Sequence, residues 1–377
     1  RYVDTLINYT TTNYNTGWMV GDIKGAFMSD TDTTNITGSE LVTNGTFASD
    51  ISGWSGAAQF SHSTNSVGGN TSGKLMVYHT ANTNIYISQT ITTVAGKYYT
   101  ISYLACSDEA NRARVWIGGT YYDYIVDNNN AALVVHSHTF YASGTSTEIR
   151  LYTNGNSRSY WDSISVRIAE RDRSVMGKGL QVYGTITKEP VATGAELVAY
   201  NGFTTSNYLF QPHNTDLQFG TGDYSVMLWY KSGSGSTGSR EVFAHLKGAS
   251  TGFWLLAKEY TNKFVFDTVT DPNTVSENVW YHVAGVRESG TAKLYVNGEL
   301  VGSASSGDNI TDTSVGLFVG QSPDNNDWRT RGSLALLRIS ESAPSAEAIR
   351  KTYNDEKYLF RDNAKCTLYG TANNVTA

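Results

Sequence analysis

Apolar and polar positions alternate through most of this chain, most clearly between residues 279 and 302. Val279-Trp280-Tyr281-His282-Val283-Ala284-Gly285-Val286, Ala292-Lys293-Leu294-Tyr295-Val296 and Glu299-Leu300-Val301 are three β-rich runs. Asn297-Gly298 separates the last two, and Asn-Gly between apolar runs marks a type I′ hairpin, which needs positive φ at both central residues. Glu288-Ser289-Gly290-Thr291 reads as a looser four-residue connection. The pattern predicts an antiparallel meander. Further period-two strands are predicted at 74–78, 85–90, 98–104, 114–117, 132–141 and 147–152, then at 179–185, 207–210, 223–230, 253–256, 264–267, 315–321 and 332–339. One helix is predicted, over 343–353, with Pro344 early in it. Residues 232–239 are a Ser/Gly run, flexible by composition.

This rhythm predicts an all-β chain of two tandem antiparallel β-sandwiches (jelly rolls), with short flanking strands and one short helix near the C-terminus. The expected division is residues 1–38, 39–170, 171–360 and 361–377. The two short ends are too small to build their own cores and are expected to complete something outside the excerpt. Glu170-Arg171-Asp172-Arg173-Ser174 reads as a charged connector between the sandwiches. With no initiator methionine and no signal-like stretch, the chain reads as an excerpt of a longer protein.

Two resemblances follow from these motifs. The run 279–302 resembles the central hairpins of laminin-G and pentraxin-like domains, and about 180 residues share the pattern. That resemblance implies a concanavalin A-like sandwich, whose characterised members mostly bind carbohydrate or protein ligands at loops along one rim. The family usually ends with two acids where this chain has Ala335 and Leu336. Leu41-Val42-Thr43-Asn44-Gly45-Thr46-Phe47, then Gly53-Trp54, and the closing Trp161-Asp162-Ser163-Ile164-Ser165-Val166, resemble the ends of carbohydrate-binding modules of the galactose-binding jelly-roll type. In that family acids near the start help hold a structural calcium. Here Thr46 and Ala48 stand in their places and only Asp162 remains, so no calcium is expected in this domain.

Composition narrows the function classes. The 377 residues include 25 Tyr and 8 Trp but only 16% charged residues, a mixture suited to many short strands and tight turns. The net charge of −6 offers no basic footprint for nucleic acid. No apolar run approaches the ~20 residues needed for a membrane-spanning helix. Cys106 and Cys366 fall in different predicted domains and indicate no disulfide framework. Asn8, Asn35, Asn44, Asn70, Asn309 and Asn374 head N-x-S/T triplets, which chance explains in so Asn- and Thr-rich a chain.

The candidate ligand residues are aromatic. Trp116, Tyr121, Tyr122 and Tyr124 surround Gly118-Gly119, beside Arg112, Arg114 and Asp123. A two-residue turn there sets the flanking rings side by side, and strand alternation keeps them from all entering one core. Such rings make a sugar platform or a protein contact, and ordinary cross-strand pairing is the competing reading. Trp54 and Tyr160 are further candidates, whereas Trp229 and Trp280 sit in apolar strands and read as core. Asp324-Asn325-Asn326-Asp327-Trp328 is a polar loop. Asp324, Asn325 and Asp327 offer oxygens to a calcium ion, or else make turns, and Trp328 offers a stacking face. His136 and His138 share a strand face but have no further metal ligands near them in sequence. Glycoside hydrolases on this sandwich carry acids alternating along a strand. No such run occurs here, and the chain is read as non-catalytic.

The expected function is recognition of a carbohydrate or host cell-surface glycan. The Thr/Asn/Gly/Tyr-rich composition resembles that of phage tail-fibre and head-fibre proteins, and the tandem modules resemble those of marine phage virion proteins. The expected setting is a virion or the extracellular surface, with other virion subunits as partners and a homo-oligomeric state. Two other readings stay open: a structural virion or filament protein whose sandwiches make subunit contacts, and a secreted bacterial adhesin.

Overall fold

The computed structural model describes residues 8–11, 22–109, 112–125, 131–247, 252–311 and 316–368. Strands dominate, and among the described residues the strand ladders are antiparallel except that of Asn8–Thr11 with Lys365–Leu368; an isolated bridge, Ser232 with Glu277, is also parallel. The chain divides into two compact units: Ser39–Ala169, and Arg1–Gly38 together with Glu170–Ala377. The first is thus inserted, along the sequence, into the second.

In the inserted unit, five strands pair in the order Thr120–Tyr124, Ala113–Ile117, Ser146–Asn154, Asn84–Thr92, Ser55–Gly56. A second sheet runs Phe60–Ser63, Lys74–His79, Ser157–Glu170, Tyr98–Ser107, Val134–Tyr141. Alternation assigns the faces. Ile87, Val115, Ile117, Ile149 and Leu151 of the first sheet share one core with Leu75, Val77, Ile101, Tyr103 and Trp161 of the second. Trp54 belongs to that core and Tyr160 is also buried, so neither is the ligand residue expected from sequence. His136 and His138 both lie against Tyr103, whose hydroxyl meets His138 Nε2 at 3.1 Å. Burial, with His138 nearby, pushes His136 down to about 4.

The second unit is also two-sheeted. Its meander, Trp280–Glu288, Thr291–Val296 and Glu299–Ser305, leads through Tyr224–Lys231 to Ser333–Ser340. The Ser289-Gly290 connection is tighter than expected. Glu288 pairs with Thr291, and Ser289 and Gly290 have φ of 48° and 74°, as at Asn297-Gly298. The facing sheet runs Tyr208–Gln211, Gly316–Val319, Glu241–Lys247, Gly252–Lys258, Phe264–Phe266. Leu180–Pro190 joins the two: Gln181–Tyr183 pair with one sheet and Thr187–Pro190 lead into the other. At the crossing Gly184 has φ 63°, and a Cβ there would meet the Asn207 side chain at 2.1 Å. Tyr230, Phe243 and Phe264 pack between the sheets.

The outer face of the meander sheet is buried as well. Met227, Trp229, Ala284 and Val286 pack with Ile349 and Leu359 of the C-terminal helical segment. The helix Ala346–Glu356 begins at Ser345, whose hydroxyl accepts the Ala348 N–H at 3.2 Å. Trp229 Nε1 donates to Glu356 at 2.8 Å, and the same carboxylate pairs with buried Arg338. Trp229 is therefore core, as expected, and Trp280 is tied down by its Nε1 bond to the Val191 carbonyl at 2.9 Å.

Two features depart from the sequence expectation. Residues 22–38 do not await a partner outside the chain. Ile23–Phe27 pairs with Ser333–Ser340, and Ile36–Gly38 pairs with residues 184–186. The charged connector is not solvated either, because Glu170, Asp172, Arg173 and Ser174 are buried. Asp172 accepts N–H bonds from Ala26, Ser174 and Lys178 at 2.8–2.9 Å. Glu170 accepts from the Tyr200 hydroxyl at 2.9 Å and Met28 N–H at 3.2 Å, and Arg173 Nε donates to the Ser29 carbonyl at 2.8 Å.

Burial, reinforced by Asp30, pushes the Glu170 carboxyl up to about 7. A carboxyl with a folded value above its unfolded ~4.3 takes up a proton on folding. Its cost to stability is absent at acid pH and grows as pH rises from about 4 to about 7. Glu170→Gln keeps the acceptor for Tyr200 and Met28. It is expected to raise the melting temperature at pH 8 and to change it little at pH 4.5. A fall at pH 8 would mean that the ionised carboxylate is needed against Lys188 and Arg173.

Candidate ligand-binding faces

Gly118 and Gly119 take φ of 52° and 108°, and the two-residue turn they form pairs Thr120 with Ile117 and Tyr121 with Trp116. Since Val115 and Ile117 point into the core, Arg114, Trp116 and Tyr121 share the other face. Pairing brings Arg150 beside Trp116, and Tyr152 beside both Arg114 and Tyr86. The Arg150 guanidinium lies 4.2 Å from the Trp116 ring centre and 4.6 Å from that of Tyr86. Arg114 lies 3.8 Å from the centre of Tyr121, which is 44% exposed. Glu148 holds Arg150 at 2.6 Å, and Arg150 also donates to the Tyr152 hydroxyl at 3.1 Å. The Arg150–Glu148 hydrogen bond keeps the Glu148 carboxyl below its ordinary range.

Trp116 and Tyr121 thus come together as expected. Tyr122 does not join them. It points to the opposite face, where it packs on the core with its ring 4.7 Å from that of His138. The side chains of Asp123 and Tyr124 lie outside the described residues. Arg112 sits against Gly155. Sequence reading missed Tyr86, Arg150 and Tyr152, because non-local strand pairing assembles this face.

The second unit carries a similar cluster. Arg240 follows the Ser/Gly loop and forms an ion pair with Glu259 at 2.7 Å. Its guanidinium lies 4.7, 5.0 and 4.6 Å from the ring centres of Trp254, Tyr260 and Trp328. Trp328 meets Trp254 edge-on at 5.0 Å and donates its Nε1–H to the Tyr260 hydroxyl at 2.8 Å. Tyr260 is 51% exposed. The Ser/Gly loop behind Arg240 is anchored, contrary to its composition. Ser236 is buried with its hydroxyl on Glu241, and buried Lys258 donates to the carbonyls of Ser236 and Ser239 at 2.9 and 3.0 Å.

The oxygens considered for calcium already have partners within the chain. Asn325 Oδ1 accepts the Asp327 N–H at 2.9 Å, a turn bond. Asp324 Oδ2 lies 3.4 Å from Nε2 of buried His245, and the Asp327 carboxylate is 85% exposed, 3.8 Å from Arg329. A hard cation wants six to eight convergent oxygens. Among the described residues no three His, Cys, Asp or Glu side chains group for a metal. In the inserted unit a cation of the chain's own holds the loop at 65–72, which reaches Asp162. Buried Lys74 Nζ donates to the carbonyls of Asn65, Asn70 and Ser72 at 3.1, 3.3 and 2.5 Å. Ser72 in turn donates to Asp162 at 3.2 Å.

Residues 203–350 match the Laminin_G_3 model of the concanavalin A-like lectin/glucanases superfamily, so this segment is a concanavalin A-like domain. No curated protein sequence matches the chain. Among solved structures, the binding domain of Paraclostridial Mosquitocidal Protein 1 is similar at 15% identity and TM-score 0.40, with 49% of each chain covered. Domain 4 of the extracellular arabinanase AbnA from Geobacillus stearothermophilus, in complex with arabinotriose, matches at 18% identity and TM-score 0.35, over 48% of this chain and 91% of that one. Trypanosoma rangeli sialidase matches at 13% identity and TM-score 0.35, over 48% of this chain, which spans 30% of the sialidase.

Lys74→Met removes a side-chain donor shared by three loop carbonyls. It is expected to cost about 3 kcal/mol of stability, read by chemical denaturation. An unchanged midpoint would mean that water replaces the ammonium.

Proposed function

We propose that this chain is a non-catalytic glycan-recognition protein and that the inserted unit carries one of its binding faces. The observation that supports this most is the row of partly exposed Tyr86, Trp116 and Tyr121, backed by buried Tyr152 and threaded by Arg114 and Arg150. Ring edges offer apolar surface to the C–H face of a sugar. The guanidiniums, fixed in place by the rings and by Glu148, offer planar donors to hydroxyls. The concanavalin A-like domain at 203–350 is in keeping with this role, since its superfamily includes lectins. The superfamily also includes glucanases, so catalysis is a question for assay. The setting we favour is a virion fibre or another extracellular appendage, and it rests on the Thr/Asn/Gly/Tyr-rich, charge-poor composition alone.

A glycan array probed with the full chain tests this reading. Tyr121→Ala and Trp116→Ala are expected to abolish or sharply reduce the signal, while melting temperature holds. Tyr122→Ala is expected to lower melting temperature, since that ring packs inward. Binding to no glycan, or binding indifferent to Tyr121 and Trp116, would overturn the proposal. Sugar release from a polysaccharide by the purified chain would overturn its non-catalytic part.

A further inference from the structure

A cleft of about 420 Å3 opens in the second unit, lined by Glu189, Asn201, Lys231, Ser234, Asn278 and Arg331 among others. These residues stand at or near strand ends, so the cleft lies on the rim of the sandwich. Its charges do not cancel locally. Glu189 accepts from the Asn201 amide at 3.1 Å and, among the described residues, pairs with no cation. The Lys231 ammonium lies 5.2 Å from the centre of the Trp280 ring, and no described carboxylate pairs with it. Arg331 spends Nη1 on the carbonyls of Asp327 and Arg240, at 3.1 and 3.5 Å. Its backbone N–H is bound by Glu241, whose charge is already met by Lys258, Tyr230 and Ser236. Two partly exposed cations therefore line one cleft with one acid, and the rest of its wall is amides, hydroxyls, backbone and the Phe203 ring.

The cleft also adjoins an aromatic surface. Arg331 stands three residues beyond Trp328, so their Cα atoms are no more than about 11 Å apart. Arg331 is fastened to Arg240, the centre of the Trp254–Tyr260–Trp328 cluster. One short segment thus presents a stacking ring and a cation held for an anion.

We propose that this rim cleft binds the carboxylate of an acidic saccharide, with Lys231 and Arg331 as its charge partners. Asn201, Ser234 and Asn278 are the donors and acceptors for neighbouring hydroxyls, and the Trp328 cluster receives an adjacent sugar ring. This rests on the glycan-recognition reading but uses a different unit and different residues. A carboxylate presents two acceptors to the guanidinium and one to the ammonium, a match that a neutral sugar lacks.

The test is calorimetric titration of the full chain with three probes: oligogalacturonate, its methyl ester and poly-glutamate. Oligogalacturonate is expected to bind at least tenfold more tightly than the neutral ester, and to weaken as salt rises from 50 to 500 mM. Lys231→Gln is expected to weaken it about tenfold without changing the melting temperature. Arg331→Gln is expected to do the same; should it unfold the loop, Lys231→Gln carries the test alone. Equal affinity for acid and ester, or indifference to Lys231→Gln, would overturn this proposal while leaving glycan recognition standing. Failure to bind either saccharide here, with no signal on the glycan array, would overturn both readings. Poly-glutamate binding as tight as oligogalacturonate would make the cleft an acidic-peptide site and overturn the saccharide assignment.

Discussion

The second unit depends on a buried polar clasp where the chain leaves it and returns. Asp172 accepts the Ala26 and Lys178 N–H groups, Glu170 the Met28 N–H, and Arg173 donates to the Ser29 carbonyl. These bonds hold the edge strand Ile23–Phe27 beside the segment leading into Leu180–Pro190, the strand that passes from one sheet to the other. The chain statistics of a long insertion are mild, because closure entropy grows only with the logarithm of its length. The larger demand is local, since backbone groups at the crossing must find partners away from water. Two carboxylates supply the acceptors, and the elevated titration of Glu170 and Asp172 is the cost of placing them there. Ordinary hydrophobic residues at these positions would leave the N–H groups of Ala26 and Lys178 unanswered.

The surfaces of the two units converge on one device. Each has a guanidinium set among aromatic rings and fixed by a glutamate: Arg150 with Glu148, Arg240 with Glu259. A free arginine has many rotamers, and ordering it costs binding energy. Here the rings and the carboxylate have already ordered it, so donors stand in fixed planes before any ligand arrives. The buried pair of Lys258 and Glu241 serves the same end from beneath, tying down the loop from which Arg240 emerges.

The strand rhythm and the meander were legible because Asn297-Gly298 and the alternation around it are local signals. So was the pairing of Trp116 with Tyr121 across Gly118-Gly119. Less legible were elements whose polar residues are buried. Glu241–Lys247 carries Glu241 and His245 at full burial, each meeting polar partners, so its amphipathic signal vanishes. The connector 170–174 failed for the same reason, since charge in a sequence does not reveal whether hydrogen bonds await it inside. The aromatic clusters were only half visible. Tyr86, Arg150 and Tyr152, or Trp254 and Tyr260, become neighbours of the expected rings through pairings that no single segment encodes. Tyr122 sits one residue from Tyr121, and composition could not tell which of the two the pleat turns outward.

The pairing of Ile23–Phe27 with Ser333–Ser340 also constrains the order of events during synthesis. The edge strand leaves the ribosome about 300 residues before its partner, a wait of roughly 15–60 s at translation rates of 5–20 residues per second. The inserted unit, complete by residue 169, emerges well inside that interval. While it acquires structure, Ile23–Phe27 and its unpaired backbone must be kept from other edges. The nascent chain therefore passes through a stage in which one sandwich stands finished while a strand of its host waits open, a natural place for a chaperone to act.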